Sequence, residues 1–427
     1  MQLHAQPVSQ HRDIDVLHYA ADIQPDIAAG TIEGRVVIRL VAASNALRTI
    51  ELDNDGLTVD AVQEVGTKLR FAQDGKRLKI QLSRPARVGE QREIAVDYHG
   101  APRFGLQFHP DRSQTYTIFS TSQWLVGIDA PDERATLDLT VTLPAGLEAV
   151  GNGPEIEHRT LANGNEVYRW RQDTPVPAYT FGFAAGKFND VVAKAGDVQL
   201  RFLGDAFSED ELRKVFADTA DMLQYFQRRA GVPYPGKRYT QALVVETIGQ
   251  ELAGLSLLSE EYGREVLADP RQESLIAHEA AHQWWGNMVT CASWNHFWLN
   301  EGFANFLAAT YMEHRFGKAE YQKSVDRWRA RHEKLKVDGK DKPLVFPNWD
   351  KPTSDDRAVV YQKGAYVLHL LREKLGEDVF WRGMRDYTRK HFGASVVTQD
   401  FQAAMERSSG KQLDAFFDEW VYPKNPR

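Results

Sequence analysis

Between about residues 200 and 207 the hydrophobic pattern of this chain changes its period from two to 3.6, and that change constrains the fold more than any other feature. Upstream, Leu137, Leu139, Val141 and Leu143 alternate with Asp138, Thr140 and Thr142, as a half-buried antiparallel strand requires. Ile94, Val96 and Tyr98 repeat the pattern, as do Leu78, Ile80 and Leu82. Turn-formers punctuate these runs at Asp74-Gly75, Pro144-Ala145-Gly146 and Asn163-Gly164-Asn165. From Val16 to about Phe202 strand therefore follows strand, which predicts an all-β domain of two packed sheets. Downstream, Ser208 and Glu211 make a capping box, and Leu212, Val215, Phe216, Thr219, Met222, Leu223 and Phe226 recur at helical spacing. The chain of 427 residues is long enough to give each half its own core. The expectation is an α+β protein, with a β domain over residues 1–203 and a mostly α-helical domain over residues 204–427.

Within the helical half, the stretch IAHEAAHQWWGNMVTCASWNHFWLNEGFANF begins at Ile276 and concentrates the chemistry. On a helix, residues i and i+4 lie one above the other, so His278 and His282 project from one face. Two neutral imidazoles supply half of a tetrahedral zinc site. Glu301 can add a carboxylate oxygen from a second helix, leaving a fourth position for water. Glu279 cannot point at the same spot but can reach that water as general base. Eighteen residues, 283–300, separate His282 from Glu301, enough to finish one helix, cross a loop and start another. Trp284, Trp285, Trp294 and Trp298 would wall a metal off from water. A metzincin would need glycine at 285 and histidine at 288, where this chain has Trp285 and Met288. An ordinary histidine pair on a helix leaves these features unexplained, so the pattern predicts a hydrolytic site holding one Zn²⁺ per chain.

Composition excludes several other classes. With 52 basic and 59 acidic residues the net charge is −7, and there is no basic stripe, so nucleic-acid binding has no support. No apolar run approaches the length of a membrane-spanning helix. The single cysteine, Cys291, excludes an internal disulfide and reads as a small buried filler between the two ligand helices. The polar start, MQLHAQPVSQHRDID, lacks the apolar segment of a signal peptide, so either the protein is cytoplasmic or the sequence begins after a removed signal.

HEAAHQWWGNMVT followed by WLNEGFANF closely resembles the signature of the aminopeptidase N family, the gluzincin aminopeptidases that also include leukotriene hydrolase. The family's third ligand sits in its WLNEG segment, at the place of Glu301. The resemblance extends upstream from LHYAADIQPD through TSQW and DAPDERATLDLTVTLP to FGFAAGKF. It implies an N-terminal saddle domain of sandwiched sheets followed by a thermolysin-like catalytic domain.

The resemblance also implies roles for individual residues. In the family, a G-x-M-E-N strand just before the zinc helix carries a glutamate that binds the substrate's free amino group. QELAGLSLLSE occupies that place and Glu251 is the match, with Ile248, Gly249, Gln250 and Leu252 departing from the pattern. A carboxylate near the scissile bond pairs with an ammonium and selects unblocked peptide ends. Gln250, in place of methionine, implies a more polar wall to the first side-chain pocket. Gln123 matches the glutamine that the family's first domain contributes near the amino group. VVYQKGAYVLHLL is similar to the Y-E-K-G-A segment, whose tyrosine hydrogen-bonds the tetrahedral intermediate, and Tyr361 is the match. The plainer alternatives are a solvated glutamate, an ordinary strand amide and a core tyrosine.

Three further features bear on the resemblance. His296 stands where family members have aspartate, and a fourth-ligand role there would block the water position. Asp355 and Asp356 lie where pocket residues often occur and could favour basic first side chains, or form a solvated loop. The sequence stops after the catalytic domain, without the helical domain that roofs the site in long members. This implies an open cleft, or one covered by another subunit as in a homo-oligomer. The expected activity is removal of N-terminal residues from peptides. The alternatives are an endopeptidase or specialised peptide-processing enzyme on the same zinc site, or a non-catalytic peptide-binding relative.

Overall fold

The structure is a computed structural model that describes residues 12–247, 249–346, 349 and 352–423. Ile248 and most of the polar amino-terminal stretch lie outside the described residues. The chain forms two compact units. The first comprises the described residues up to Ala193 together with Val198–Leu212 and Gly236–Glu261. The second comprises Lys194–Asp197, Arg213–Pro235 and the described residues from Tyr262 onward. The division expected between residues 203 and 204 falls within the strand Val198–Gly204.

The first unit is built of sheets. Its largest has eight strands, with Ile14–Asp26 pairing antiparallel with Thr31–Ala42 on one side and parallel with Arg134–Leu143 on the other. Leu137, Leu139, Val141 and Leu143 are all buried, as their alternation predicts, and Arg134–Leu143 also pairs antiparallel with Glu166–Pro177. Sheets of four and three strands accompany it, where two sheets were expected. Period-two alternation decides which face of a strand is buried, not which sheet the strand joins.

A further sheet in this unit runs Val198–Gly204, Arg238–Val244 and Leu255–Ser259 in parallel, with Gln250–Leu252 antiparallel beside the last. Leu252, Leu255 and Leu257 pack into one core cluster with Tyr116, Ile118 and Val150, which fixes the short strand that carries Glu251.

The predicted capping box forms. The Ser208 N–H donates to Glu211 Oε2 at 2.8 Å, and the Glu211 N–H donates to Ser208 Oγ at 3.3 Å. The apolar positions that follow are buried, but they are divided between two helices, Glu209–Val215 and Thr219–Ala230, with Phe216 in neither. A turn at residues 216–218 separates them, closed by Thr219 N–H on the Phe216 carbonyl at 3.2 Å.

The second unit is mostly helical, and its two central helices are Ser274–His282 and Trp298–Phe316. They are joined through the short strand Val289–Cys291, which pairs in parallel with Ala394–Val396. Cys291 is fully buried in that connection, and its N–H donates to Asn300 Oδ1 at 3.0 Å. Trp284, Trp285 and Trp298 are fully buried, and each indole N–H has a partner, on the Val232 carbonyl, Thr388 Oγ1 and Thr398 Oγ1 respectively. Trp294 is only half-buried. Thr398–Ser409 and Asp414–Trp420 close the unit as two short packed helices. Among the described residues no helix is long and apolar enough to cross a membrane.

Candidate metal centre

His278 and His282 sit one turn apart near the end of Ser274–His282, and Glu301 lies in the first turn of Trp298–Phe316. All three are buried. The two Nε2 atoms are 2.9 Å apart, and Glu301 Oε2 is 3.3 Å from each. A tetrahedral ion with ligand bonds of about 2.0–2.1 Å needs donor atoms about 3.3 Å apart, so the triangle has the dimensions of such a site. Glu301 Oε2 is a buried carboxylate oxygen that makes no hydrogen bond while facing two ring nitrogens. Such an atom is costly to leave without compensation, and a cation between the three donors supplies it. Among the described residues this is the one group of three or more His, Cys, Asp or Glu side chains close enough to hold an ion.

The imidazoles are prepared as ligands. The His282 Nδ1–H donates to the Trp285 carbonyl at 3.0 Å, so in the neutral ring Nε2 carries the lone pair. Gly286 permits this contact, because a Cβ there would lie 2.7 Å from His282 Nδ1. The side chain of Asn305 hydrogen-bonds His278. Burial first, and the neighbouring His282 second, push His278 below the ordinary imidazole value. Burial alone would raise the Glu301 carboxyl, but the two imidazoles outweigh it and hold the group below the ordinary carboxylate range. The N₂O donor set is therefore one that binds a metal ion without first losing protons.

Around this triangle stand the other residues singled out in the helical half. Glu279 follows His278 on the same helix and is 3% exposed. The Tyr361 ring stacks parallel to His278, with centroids 6.3 Å apart and planes 7° from parallel, and Phe297 meets it edge-on at 6.4 Å. Tyr361 lies in Val359–Lys363, a single π-helical turn leading into the helix Gly364–Leu375. Such turns add a residue to one turn and re-aim its side chains, and they recur at functional sites.

His296 is not part of the triangle. Its Nδ1 is 2.9 Å from Thr398 Oγ1 and accepts from the Thr398 N–H at 3.2 Å, capping the start of Thr398–Ser409. Asp356 closes a capping box with Thr353 and contacts Lys342, while Asp355 pairs with Arg331 at 2.9 Å.

In the β unit, Glu251 is 6% exposed and Gln250 is fully buried. The Gln250 amide donates to Glu251 Oε2 at 2.9 Å and accepts from the Phe119 N–H at 2.7 Å. Gln123 accepts from the N–H groups of Phe104 and Gly105 at 2.9 and 3.1 Å and donates to Asp55 at 3.2 Å.

Two contributors lie inside the matched motifs but were given no role by them. Asn305 is four residues from Glu301, so its place on the same helical face was open to inference from spacing. Lys363 is 3% exposed and holds Asp341 and the Lys342 carbonyl at 2.8 and 2.6 Å, tying down the π-helical turn. It is the lysine of the segment matched to Y-E-K-G-A, but the match alone does not tell a buried tether from a surface lysine.

A buried pair of histidines on one helix, completed by a carboxylate from the next helix and flanked by a glutamate, defines a metallopeptidase of the H-E-x-x-H class. The chain belongs to peptidase family M1: the family's N-terminal domain model matches residues 16–180 and its peptidase domain model matches residues 215–420. Aminopeptidase M1 of Arabidopsis thaliana is 28% identical over 69% of this chain, which spans 35% of that protein. Leucine aminopeptidase 2 of Ajellomyces capsulatus is 25% identical over 92% of this chain and 67% of its own length. An M1 zinc metallopeptidase from Deinococcus radiodurans has the same fold, with a TM-score of 0.83 at 27% identity over 97% of this chain and 95% of that one. The chain thus spans about a third of the Arabidopsis relative but nearly all of the Deinococcus one.

Proposed function

We propose that this protein is a zinc aminopeptidase that hydrolyses the first peptide bond of peptides with a free amino terminus. The observation that carries the reading is the buried triangle of His278 Nε2, His282 Nε2 and Glu301 Oε2, with sides of 2.9, 3.3 and 3.3 Å. A zinc ion held by these three residues would polarise the scissile carbonyl and bring the pKa of a water down toward about 7. Glu279 takes a proton from the attacking water and delivers it to the leaving amine. The Tyr361 hydroxyl donates to the carbonyl oxygen as negative charge gathers there. In the β unit, Glu251 pairs with the substrate ammonium, and Gln250 orients the Glu251 carboxylate through its 2.9 Å hydrogen bond. The Gln123 amide, occupied by Phe104, Gly105 and Asp55, shapes that region through the backbone it holds.

The relatives support this reading. Those named aminopeptidases act at free peptide ends by their names. A variant of the Deinococcus metallopeptidase binds the tripeptide Tyr-Ser-Ala, which carries a free amino group. Functional division of the chain near residue 203 is supported by the two family matches, which end at 180 and resume at 215.

An arylamide panel, run before and after chelation and again with added zinc, tests the proposal. Free-amine substrates should be turned over, chelation should abolish turnover and zinc should restore it. Hydrolysis of amino-acetylated peptides at a comparable rate would instead indicate an endopeptidase.

A further inference from the structure

Two phenylalanines in the β unit are exposed where apolar rings are normally covered. Phe104 is 45% and Phe119 is 40% exposed. Their rings stack on each other, with centroids 5.6 Å apart and planes 3° from parallel. Phe119 has φ of 48°, the left-handed region that a residue with a Cβ avoids. A strained backbone that presents an aromatic ring to solvent points to a use for that ring.

The pair is built into the surroundings of Glu251. The Phe119 N–H donates to Gln250 Oε1 at 2.7 Å, and the same amide donates to Glu251 Oε2 at 2.9 Å. One buried amide therefore joins the backbone under the ring to the carboxylate. On the other side, Gln123 holds the N–H groups of Phe104 and Gly105, and the Ile118 N–H donates to the Gly105 carbonyl at 3.0 Å. The two ring-bearing loops are thus clamped to each other and to the carboxylate's own support. The stack is held in place by backbone hydrogen bonds while both rings stay partly exposed.

The geometry points to the Phe104–Phe119 stack as the surface that receives the side chain of the substrate's amino-terminal residue, selecting large apolar and aromatic residues. This rests on Glu251 being the anchor for the substrate ammonium. The first side chain branches from the carbon bonded to that nitrogen. With the ammonium on Glu251, an apolar side chain reaches a neighbouring ring face and leaves water, whereas a short or charged one gains little there. The preference is therefore for phenylalanine, tryptophan, tyrosine, leucine and methionine at the first position, over alanine, glycine and the acidic residues.

Phe104→Ala and Phe119→Asn test this. Asparagine is chosen because it tolerates the left-handed conformation, so the ring is removed while the turn is kept. Both rings are exposed, and folding is checked by thermal melting and metal content. Each variant should lower kcat/KM for phenylalanyl and leucyl arylamides by roughly tenfold, chiefly through KM, while changing alanyl arylamide less than about twofold. An equal loss on all substrates would show that the stack only braces Glu251, and an unchanged profile would show that it reads no side chain. A changed oligomeric state on size exclusion with an unchanged profile would show that it serves subunit contact. Any of these three outcomes overturns the inference but leaves the aminopeptidase reading standing. A wild-type enzyme inactive on every free-amine substrate would remove both.

Discussion

Gly302 and Gly364 pass each other so closely that a Cβ built on Gly302 would lie 3.0 Å from the Gly364 Cα and 3.2 Å from the Val360 carbonyl oxygen. Gly302 follows Glu301, the proposed third metal ligand, and Gly364 begins the helix that continues from the Tyr361 turn. The two glycines thus set the spacing between a metal ligand and the residue proposed to stabilise the oxyanion. Gly302→Ala should separate the helices, lowering stability by about 1–3 kcal/mol through overpacking. It should also lower kcat more than the stability loss explains. Thermal melts and kinetics at a temperature where the variant is fully folded check this.

Lys363 and Tyr361 share one π-helical turn, and Lys363 fastens it to residues 341 and 342. If the lysine acts by placing the phenol, its effect must vanish when the phenol is absent. Tyr361→Phe is expected to cut kcat by roughly 10²–10³-fold with KM little changed. Lys363→Met should cost about 10- to 100-fold, as a misplacement of about 1 Å does. In the double variant, Lys363→Met should add less than about twofold to the loss from Tyr361→Phe. Additive losses would show that Lys363 acts elsewhere.

The metal site was legible because its information is local. His278 and His282 need only helical spacing to share a face, and Glu301 needs only a second helix. The β-to-α change of period was equally plain, since alternation at residues 137–143 and helical spacing after Ser208 are properties of neighbouring residues. What stayed hidden depends on contacts between distant segments. The parallel pairing of Ile14–Asp26 with Arg134–Leu143, the approach of Gly302 to Gly364 and the salt link from Lys363 to Asp341 each join residues 20 or more positions apart. His296 shows the same limit. The sequence argued against a fourth-ligand role but offered no other, because its partner, Thr398, lies 102 residues away.

Glu279 is 3% exposed, on the helix that carries both histidines. Glu279→Gln keeps the volume and removes the proposed base. Metal content, measured by emission spectrometry after dialysis, should stay near one ion per chain, because the three donors are untouched. Turnover should fall by roughly 10²–10⁴-fold, the usual contribution of a positioned base. Near-wild-type turnover would show that another group moves the proton.

Glu273 immediately precedes the helix Ser274–His282 without making a side-chain cap bond to it, and is 3% exposed, with Oε1 lacking a hydrogen-bond partner. Burial raises its carboxyl from 4.5 to about 8, helped by the nearby charges of Asp218 and Asp221 and by a hydrogen bond with Asp218 that favours the protonated form, against the opposing pull of Arg315. Below about pH 4.5 the group holds its proton whether the chain is folded or not. Between that value and about 8 the folded protein keeps the proton while the unfolded chain has released it. Stability from this group is therefore fully present at the acid end and is lost as pH rises toward 8, by an amount on the order of a few kcal/mol. Glu273→Gln, neutral at every pH, should abolish this slope, so the variant gains melting temperature relative to wild type between pH 5 and 8.5. Parallel melting curves for the two proteins across that range would show that the carboxyl titrates normally.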